Sequence, residues 1–365
     1  MSDKPQPRPS LHDIKPYAAG ESTVAGRRKI IKLASNESPL GPSPRAVSAF
    51  QAAAHLLARY PDPDQRALRA ALAQLHGLDP AGLIIGTGSE ALLDVIIRCY
   101  AGPGDEVLFP AFSFPVYPIA ARAAGATPIE AEAPGYGADV DRLLAQVSPA
   151  TKLVVIANPN NPTGTWIDAG ALRRLRAGLP AAVLLVIDSA YAEYMGDADY
   201  EAGHALVAAG NVIVTRTFSK AYGLASARVG WAHGTPEMID VLRRVRGVFP
   251  VTGPSLAAAQ AALEDQQHLR RVVAMNAQLL PWFGKALAAR GIRVLDNVRG
   301  NFLLALFDAW PGGATAADAA LRAQGIIVRP VGVPNALRIS LGAREELEAC
   351  LAALDAAPVA RVASA

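Results

Sequence analysis

A lysine among hydroxyl groups marks the stretch TRTFSKAYGLASARVG, residues 215–230. The run before it is short, β-branched and apolar, which is typical of a buried strand, so Lys220 is predicted to lie just past a strand end. Thr217 and Ser219 supply hydroxyls, and Arg228 supplies a fixed cation that binds phosphate or carboxylate well. The primary amine of Lys220 is a nucleophile that can condense with a carbonyl group. Each residue taken singly also fits a solvated polar loop.

Three other apolar runs also end in polar groups. LIIGTGSE ends in glycines and Ser89, before a helix predicted to begin near Glu90, and the start of a helix favours an anion such as phosphate. IANPNNPTG holds Asn161 in a sharp loop. VIDSAY places Asp188 at a strand end, with Tyr191 three residues later. Considered alone, these patterns also fit a serine cap, a plain turn and a helix-capping aspartate.

Taken together, the four polar strand ends describe one ligand. They suit a molecule with a phosphate, a basic ring nitrogen, a ring hydroxyl and a carbonyl that condenses with lysine. Pyridoxal 5′-phosphate has all four groups. Because four ordered sites on successive strand ends are far more specific than any single motif, the sequence predicts an enzyme that uses this cofactor.

These side chains need a scaffold that brings strand ends together. From about residue 83 to 232, short apolar runs alternate with amphipathic or glycine-rich segments, which predicts an α/β fold with a mainly parallel sheet and helices on both faces. Such sheets bind ligands at the carboxyl ends of their strands. The predicted strands lie in LIIGTG, EVLFP, TPIEAE, KLVVIANP, AVLLVIDSAY and NVIVTRTFSK.

The pattern changes after Pro250. One long helical region is predicted over residues 255–289, followed by RVLDN, NFLLALF, GIIVRP and ALRISLG as strands of a smaller α+β domain. We therefore expect an N-terminal arm at 1–32, a larger domain at 33–250 and a smaller C-terminal domain at 251–365.

Composition narrows the classes of function. The 365 residues carry a formal net charge of +3, and their basic pairs lack interleaved aromatic residues, so nucleic acid is not expected as a partner. No apolar run is long enough for a membrane span, and the polar, proline-rich start MSDKPQPRPS does not resemble a secretory signal. Cys99 and Cys350 form neither a metal pattern nor a disulfide framework. We expect a cytoplasmic enzyme without a metal site.

The motifs identify a family. NPTG at 161–164, the Asp188–Tyr191 pair and SKAYGLASARVG resemble the fold-type I aminotransferases of class I and II, and the resemblance covers nearly the whole chain. LASNESPLGPSP at 33–44, RYPDP at 59–63 and the tail GIIVRP with ALRISLG are more discriminating, and are similar to the histidinol-phosphate aminotransferase family. The resemblance implies a large domain whose mainly parallel sheet is sandwiched by helices, and a smaller α+β domain.

The resemblance also implies roles for the residues at the cofactor. Lys220 would form the internal aldimine and then move the proton between the substrate Cα and the cofactor. Asp188 would pair with the pyridine nitrogen, while Asn161 and Tyr191 would hydrogen-bond the ring oxygen. Phe114 would stack on the ring face. The phosphate would lie among Ser89, Glu90, Thr217, Ser219 and Arg228.

Substrate and subunit contacts follow from the same resemblance. Arg338 matches the arginine that binds a substrate carboxylate, and Arg329 with Tyr17 matches the pair that binds a substrate phosphate. Asn36 would lie near the reacting end of the substrate. Tyr60, in RYPDP, would reach the active site of the partner subunit, which implies a homodimer.

The implied reaction is a ping-pong transamination. L-Histidinol phosphate and 2-oxoglutarate would be interconverted with imidazole acetol phosphate and L-glutamate, as in histidine biosynthesis. Three departures from the family pattern concern the substrate pocket: Phe114 in place of tyrosine, Ser38 in place of asparagine, and PYAAG in place of PYxPG. An aromatic amino acid aminotransferase, or an enzyme with both activities, is therefore an alternative.

Two further alternatives come from other classes. A lyase similar to threonine-phosphate decarboxylase shares the lysine and the phosphate-binding arginines. A cofactor-binding regulator fused to a DNA-binding domain needs more chain than the arm at 1–32 supplies, and that arm is interrupted by prolines.

Overall fold

The computed structural model describes residues 5–16, 21, 23 and 30–357. Within these residues it contains thirteen strands: β1 Ile31–Lys32, β2 Leu83–Gly86, β3 Glu106–Pro110, β4 Thr127–Ala131, β5 Thr151–Ala157, β6 Leu184–Asp188, β7 Val212–Thr217, β8 Gly230–His233, β9 Arg293–Val294, β10 Phe302–Leu306, β11 Ile326–Ile327, β12 Arg329–Pro330 and β13 Ala336–Ser340.

Eleven α-helices lie in the same residues: α1 Pro44–Ala53, α2 Arg66–His76, α3 Ser89–Tyr100, α4 Val116–Ala124, α5 Val140–Ala145, α6 Ala169–Gly178, α7 Pro236–Val245, α8 Gly253–Glu264, α9 Gln266–Ala288, α10 Gly313–Ala323 and α11 Arg344–Asp355. Short 3₁₀ segments are Pro9–Leu11, Ala54–Leu56, Pro80–Gly82, Pro134–Tyr136, Ala192–Tyr194, His204–Ala209 and Ala225–Ala227. Among the described helices, none is long and apolar enough to cross a membrane.

The apolar runs of the first half of the chain form one seven-stranded sheet. Its strand order is β2-β8-β7-β6-β5-β3-β4, and β8 alone runs antiparallel to its neighbours. The prediction of an α/β fold with a mainly parallel sheet is confirmed. The sequence did not predict strand β8, because its four residues follow a polar, glycine-containing stretch that is typical of a loop.

Alternate residues of the central strands enter two different cores. Leu153 and Val155 of β5 face the core formed with α3, α4 and α7. Val154 and Ile156 face the core formed with α5 and α6. This two-residue period places Asp188, at the end of β6, on the same side of the sheet as α4.

The C-terminal part forms a smaller sheet. Strands β12, β13, β10 and β9 pair antiparallel in that order, and α9, α10 and α11 cover them with a separate apolar core. Strand β1 pairs in parallel with β11, which ties the chain at residues 31–32 to this part of the molecule.

Two predicted elements differ from the structure. The helical region predicted over 255–289 is two helices, because Asp265 leaves helical geometry at φ −86°, ψ 63° and its side chain accepts from the His268 N–H. An aspartate caps a new helix more favourably than it continues an old one. Helix α8 then packs with α1 beside the larger sheet. GIIVRP is two strands, β11 and β12, in two different sheets.

A buried ion pair lies behind the larger sheet. Arg216 of β7 donates to Glu193 at 2.7 Å, and their side chains are only 7% and 6% exposed. Arg216 also lies 3.3 Å from Nε2 of His204, whose ring stacks on Trp231. Since Glu193 follows β6 and Arg216 belongs to β7, the pair fixes the two strand ends that precede the predicted site.

Burial keeps the histidines behind the sheet neutral. It lowers the pKa of His204 to about 2 and that of His76 to about 4, and in both cases the charge of Arg216 adds to the effect. The pKa of His233, 3.2 Å from His204, is also lowered by burial. The unfolded chain titrates these groups near pH ~6.5, so it binds more protons than the folded chain below that pH.

We therefore expect the free energy of unfolding to be fully maintained above pH ~6.5 and to fall as the pH drops toward ~4. Urea unfolding at pH 7.5 and 5.5 should show a loss of ~1 kcal/mol for each of His204 and His76, since one pKa unit corresponds to about 1.4 kcal/mol. His204→Gln should reduce this pH dependence, and His12→Gln, at an exposed position, should not. Equal pH dependence in wild type and His204→Gln would contradict the assignment.

Candidate active site

The predicted residues converge on one cavity of about 830 Å³ at the carboxyl edge of the larger sheet. Parallel strands end on the same edge, so polar groups that follow them meet there. The predicted residues that line the cavity are Asn36, Ser89, Glu90, Phe114, Asn161, Asp188, Tyr191, Thr217, Ser219, Lys220, Arg228, Arg329 and Arg338.

Two predicted residues do not join this set. Tyr60 is 82% exposed and stacks on Phe249, with ring centroids 4.4 Å apart, on the outside of its own chain. Tyr17 lies outside the described residues.

Lys220 lies just past the end of β7, where the sequence placed it. Its Nζ donates to the carbonyl oxygen of Ser35 at 3.3 Å and lies 5.8 Å from the ring centroid of Tyr191. Burial lowers the pKa of Lys220 to about 8, and the charges of Arg338 and Arg228 add to this. The amine is therefore a usable base near neutral pH, which an unperturbed lysine is not.

Asp188 is held from two sides. The phenol of Tyr117 donates to its Oδ2 at 3.0 Å, and the hydroxyl of Thr215 donates to its Oδ1 at 3.1 Å. Burial raises the pKa of Asp188, and these two hydrogen bonds oppose the rise. A carboxylate accepts about four hydrogen bonds, so Asp188 keeps capacity for a cationic or N–H partner in the cavity.

The first turn of α3 and two close glycines build an anion site. A Cβ atom at Gly230 would lie 2.3 Å from the backbone nitrogen of Ser89, and one at Gly88 would lie 2.6 Å from Nη2 of Arg228. Gly88 also has φ +92°, which other residues rarely adopt. Arg228 donates to the hydroxyl of Ser219 at 3.4 Å. Helix N–H groups, a hydroxyl and a guanidinium thus meet within one small space.

Two arginines from the smaller sheet also line the cavity. Arg338 of β13 donates to Oδ1 of Asn161 at 2.6 Å and to the carbonyl oxygen of Ala34 at 2.7 Å. Arg329 of β12 lies directly opposite Arg338 in the strand register. Residues that face each other across a β-ladder project from the same side of the sheet. Arg329 and Arg338 also line an adjoining cavity of about 650 Å³, which residues of the arm such as Lys15 border.

Asn36 links these groups to Tyr191. Its Nδ2 donates to the Tyr191 hydroxyl at 2.9 Å, and its Oδ1 accepts from the hydroxyl of Ser340 at 2.8 Å. Asn301 donates to the carbonyl oxygen of Asn36 at 2.9 Å. Asn36 is therefore held on both sides, with 1% of its surface exposed.

Sequence reasoning missed four residues of the site. Tyr117, Thr215, Asn301 and Ser340 contact predicted residues and do not line the cavity themselves. Thr215 and Ser340 lie within quoted stretches, but the sequence assigned neither of them a role. Two of the four carried a signal in their spacing. Thr215 is two residues from Thr217 on β7, which places both on the face of the sheet that bears Asp188, and Ser340 is two residues from Arg338 on β13.

Pyridoxal 5′-phosphate fits this donor set. The start of α3, Ser219 and Arg228 suit its phosphate, and the glycines there let the Ser89 backbone and Arg228 lie closer than a side chain would permit. Asp188 suits the ring nitrogen, and the amine of Lys220 suits the aldehyde. The phosphate, the ring nitrogen and the aldehyde of the cofactor thus each have a matching residue in the cavity.

Comparisons with known proteins agree with this geometry. Residues 28–354 match the sequence model of the family described as aminotransferase class I and II. A histidinol-phosphate aminotransferase from Erythrobacter litoralis is 49% identical over 359 residues, which is 95% of this chain and 96% of that relative. One from Rhodospirillum rubrum is 49% identical over 357 residues, 96% of each chain.

A solved structure shows the same fold. The crystal structure of histidinol-phosphate aminotransferase from Sinorhizobium meliloti in complex with pyridoxal-5′-phosphate matches with a TM-score of 0.88 at 32% identity, over 97% of this chain and 98% of that one. The chain therefore belongs to the class I and II aminotransferase family, and it is similar over almost its whole length to members named histidinol-phosphate aminotransferase.

Proposed function

We propose that the enzyme binds pyridoxal 5′-phosphate and transfers an amino group between L-histidinol phosphate and 2-oxoglutarate, giving imidazole acetol phosphate and L-glutamate. The observation that carries this substrate assignment is the cross-strand pair Arg329 and Arg338, which faces the cavity of Lys220. A phosphate carries close to two negative charges and suits two guanidinium groups. The names of the relatives at 49% identity support the same reaction.

The cofactor, when bound, supplies a carbonyl group for the amine and a ring that accepts the electron pair of a broken Cα–H bond. Lys220 supplies the base: with its pKa lowered to about 8, its Nζ would take the proton from the substrate Cα and deliver it to the former carbonyl carbon of the bound cofactor. Asp188, steadied by Tyr117 and Thr215, holds a proton on the ring nitrogen.

The two ends of the cavity have separate binding tasks. The start of α3, Ser219 and Arg228 hold the cofactor phosphate, while Arg338 and Arg329 hold the anionic group of each substrate. In a ping-pong reaction one pocket accepts the carboxylate of glutamate and the phosphate of histidinol phosphate in turn. Arg338 then serves both substrates, and Arg329 is needed most for the phosphate.

One observation favours a second activity. Phe114, Val116 and Ile119 give the cavity an apolar wall beside the polar groups. An aromatic amino acid could place its ring there and its carboxylate at Arg338. An aromatic amino acid aminotransferase therefore remains the alternative function. Release of carbon dioxide from threonine phosphate would instead indicate a lyase similar to threonine-phosphate decarboxylase.

The proposed enzyme is a homodimer. Exposed apolar side chains occur in two segments beside the predicted interface residue Tyr60. Leu56 is 47% exposed and Leu57 is 73% exposed, a few residues before Tyr60. Val248, which is 66% exposed, precedes Phe249, and Phe249 stacks on Tyr60. Large apolar side chains left exposed in neighbouring segments are typical of a protein contact. Tyr60 then reaches the partner's cofactor phosphate. The cytoplasmic location and the domain limits at residues 32 and 250 remain predictions.

Arg329→Ala tests the substrate assignment. We expect kcat/KM for histidinol phosphate to fall about 10- to 100-fold, because a hydrogen bond to a charged group contributes about 1.5–3 kcal/mol. The value for phenylalanine should change little, since its carboxylate uses Arg338. Single-turnover half-reactions, followed by the cofactor absorbance, measure both. Arg293→Ala, on an exposed strand of the same sheet, is the matched control.

The outcome of these half-reactions also decides between the candidate functions. An equal loss for histidinol phosphate and phenylalanine would contradict the role of Arg329. A wild-type rate that is comparable for both substrates would establish the broader aromatic activity.

Lys220→Ala tests the base. Because the phosphate site and Asp188 remain, we expect the variant to bind pyridoxal phosphate, measured by equilibrium dialysis, while turnover is lost by at least about 1,000-fold. Lys152→Ala, a lysine on β5 that lies outside the cavity, should keep wild-type turnover. Retained turnover in Lys220→Ala would rule out the proposed mechanism.

Subunit complementation tests the dimer. Tyr60→Ala and Lys220→Ala should each have low activity, and mixing them with exchange of subunits should restore it. Each mixed dimer then contains one cavity with Lys220 from one chain and Tyr60 from the other. The control mixture contains Lys220→Ala and Ala182→Glu, which changes an exposed position on the amino side of β6. It shows the activity expected when the chain that supplies Lys220 also has Tyr60. No recovery with Tyr60→Ala would mean that Tyr60 does not serve the partner.

A further inference from the structure

A chain of buried hydrogen bonds joins strand β13 to Tyr191. The Ser340 hydroxyl donates to Oδ1 of Asn36 at 2.8 Å and accepts from the Asn36 backbone N–H at 2.8 Å. The other end of the Asn36 amide, Nδ2, donates to the Tyr191 hydroxyl at 2.9 Å. Ser340 is 3% exposed and Asn36 is 1% exposed, so water does not compete for these bonds.

The Ser340 hydroxyl sets the direction of the Asn36 amide. An asparagine amide has an acceptor end and a donor end, and rotation by 180° exchanges them. The proton from Ser340 occupies the oxygen end, so the nitrogen end must face Tyr191. The backbone of Asn36 is fixed as well: it adopts φ 56°, and Asn301 donates to its carbonyl oxygen.

This direction controls how Tyr191 can bind. A phenol oxygen that accepts an N–H directs its own hydrogen toward another group, and acceptance strengthens that donation. With the amide reversed, the Asn36 oxygen would instead compete for the phenol hydrogen. The contact with Asn36 thus favours donation from Tyr191 into the cavity that contains Lys220.

The same strand carries the substrate arginine. Ser340 and Arg338 are two residues apart on β13 and project from the same face. Arg338 donates to the carbonyl oxygen of Ala34 at 2.7 Å, and the Ser340 N–H donates to that of Leu33 at 2.9 Å. Leu33, Ala34 and Asn36 are therefore attached to β13 through Ser340 and Arg338.

We propose that Ser340 is a positioning residue: it orients the Asn36 amide so that Tyr191 donates its hydrogen bond to the ring oxygen of the cofactor. The inference rests on the proposed function, because it assumes bound pyridoxal phosphate. It assigns to the arginine-bearing strand a second task, which is to set the hydrogen bonding of the cofactor ring through Asn36.

The experiment measures the pH at which the absorbance of the bound cofactor changes, with purified holoenzyme and no substrate. A donor disperses the negative charge of the ring oxygen, so loss of that donor makes the oxygen a stronger base and moves the transition to higher pH. We expect Tyr191→Phe to give the largest shift. Ser340→Ala should shift the transition in the same direction, and Ser340→Thr, which keeps the hydroxyl, should restore it.

A double variant separates positioning from general damage. If Ser340 acts through Asn36 and Tyr191, Ser340→Ala should add no further shift in a Tyr191→Phe background. Ser255→Ala removes another buried serine hydroxyl, in α8 and away from the cavity, and should leave the transition at its wild-type pH. Where Ser340→Ala fails to fold, Asn36→Asp, which removes the N–H facing Tyr191, should reproduce the shift.

The outcomes are distinct. An unchanged transition in Ser340→Ala, or a shift that persists in full in the Tyr191→Phe background, would overturn the positioning role and leave the proposed function intact. A wild-type protein that binds no pyridoxal phosphate would overturn the proposed function and this inference together.

Discussion

The amine of Lys220, held in a cavity that Arg228, Arg329 and Arg338 also line, is the constraint on which the rest of the site depends. Burial, Arg338 and Arg228 lower its pKa to about 8, against the opposing charges of Glu37 and Asp188. The charges that make the amine a base also make the cavity attractive to anions, because a cation withdrawn from water needs a partner. One arrangement therefore lowers the pKa of the base and favours the binding of anionic ligands.

The scaffold behind the site keeps these charges in place. On β7, Thr215 faces Asp188, while its neighbour Arg216 faces the opposite side of the sheet and pairs with Glu193. A single strand thus contributes to the site on one face and to a buried ion pair on the other, as the two-residue period of a strand requires. Breaking such a pair costs about 3–5 kcal/mol, since it leaves a buried charge without a partner.

Much of the site could be predicted from sequence because its residues follow local rules. Apolar runs end where polar groups begin, and parallel strands bring those ends together, so Lys220 and Asp188 were placed correctly without coordinates. Contacts between distant segments give no such signal. Tyr117 reaches Asp188 across 71 residues, and Ser340 reaches Asn36 across 304. Such pairings depend on how segments far apart in the chain pack together, which a single sequence does not display.

The small sheet suggests how one cavity accepts two kinds of anion in the proposed reaction. Arg338 lies on β13, an interior strand, and is fixed by Asn161 and the Ala34 carbonyl. Arg329 lies on β12, a two-residue strand at the sheet edge, next to Pro330. An interior strand is paired on both sides and an edge strand on one, so the edge position adjusts at lower cost. Arg338, which is fixed, suits the anionic group that each substrate has. Arg329, at the edge, suits the additional charge of a phosphate.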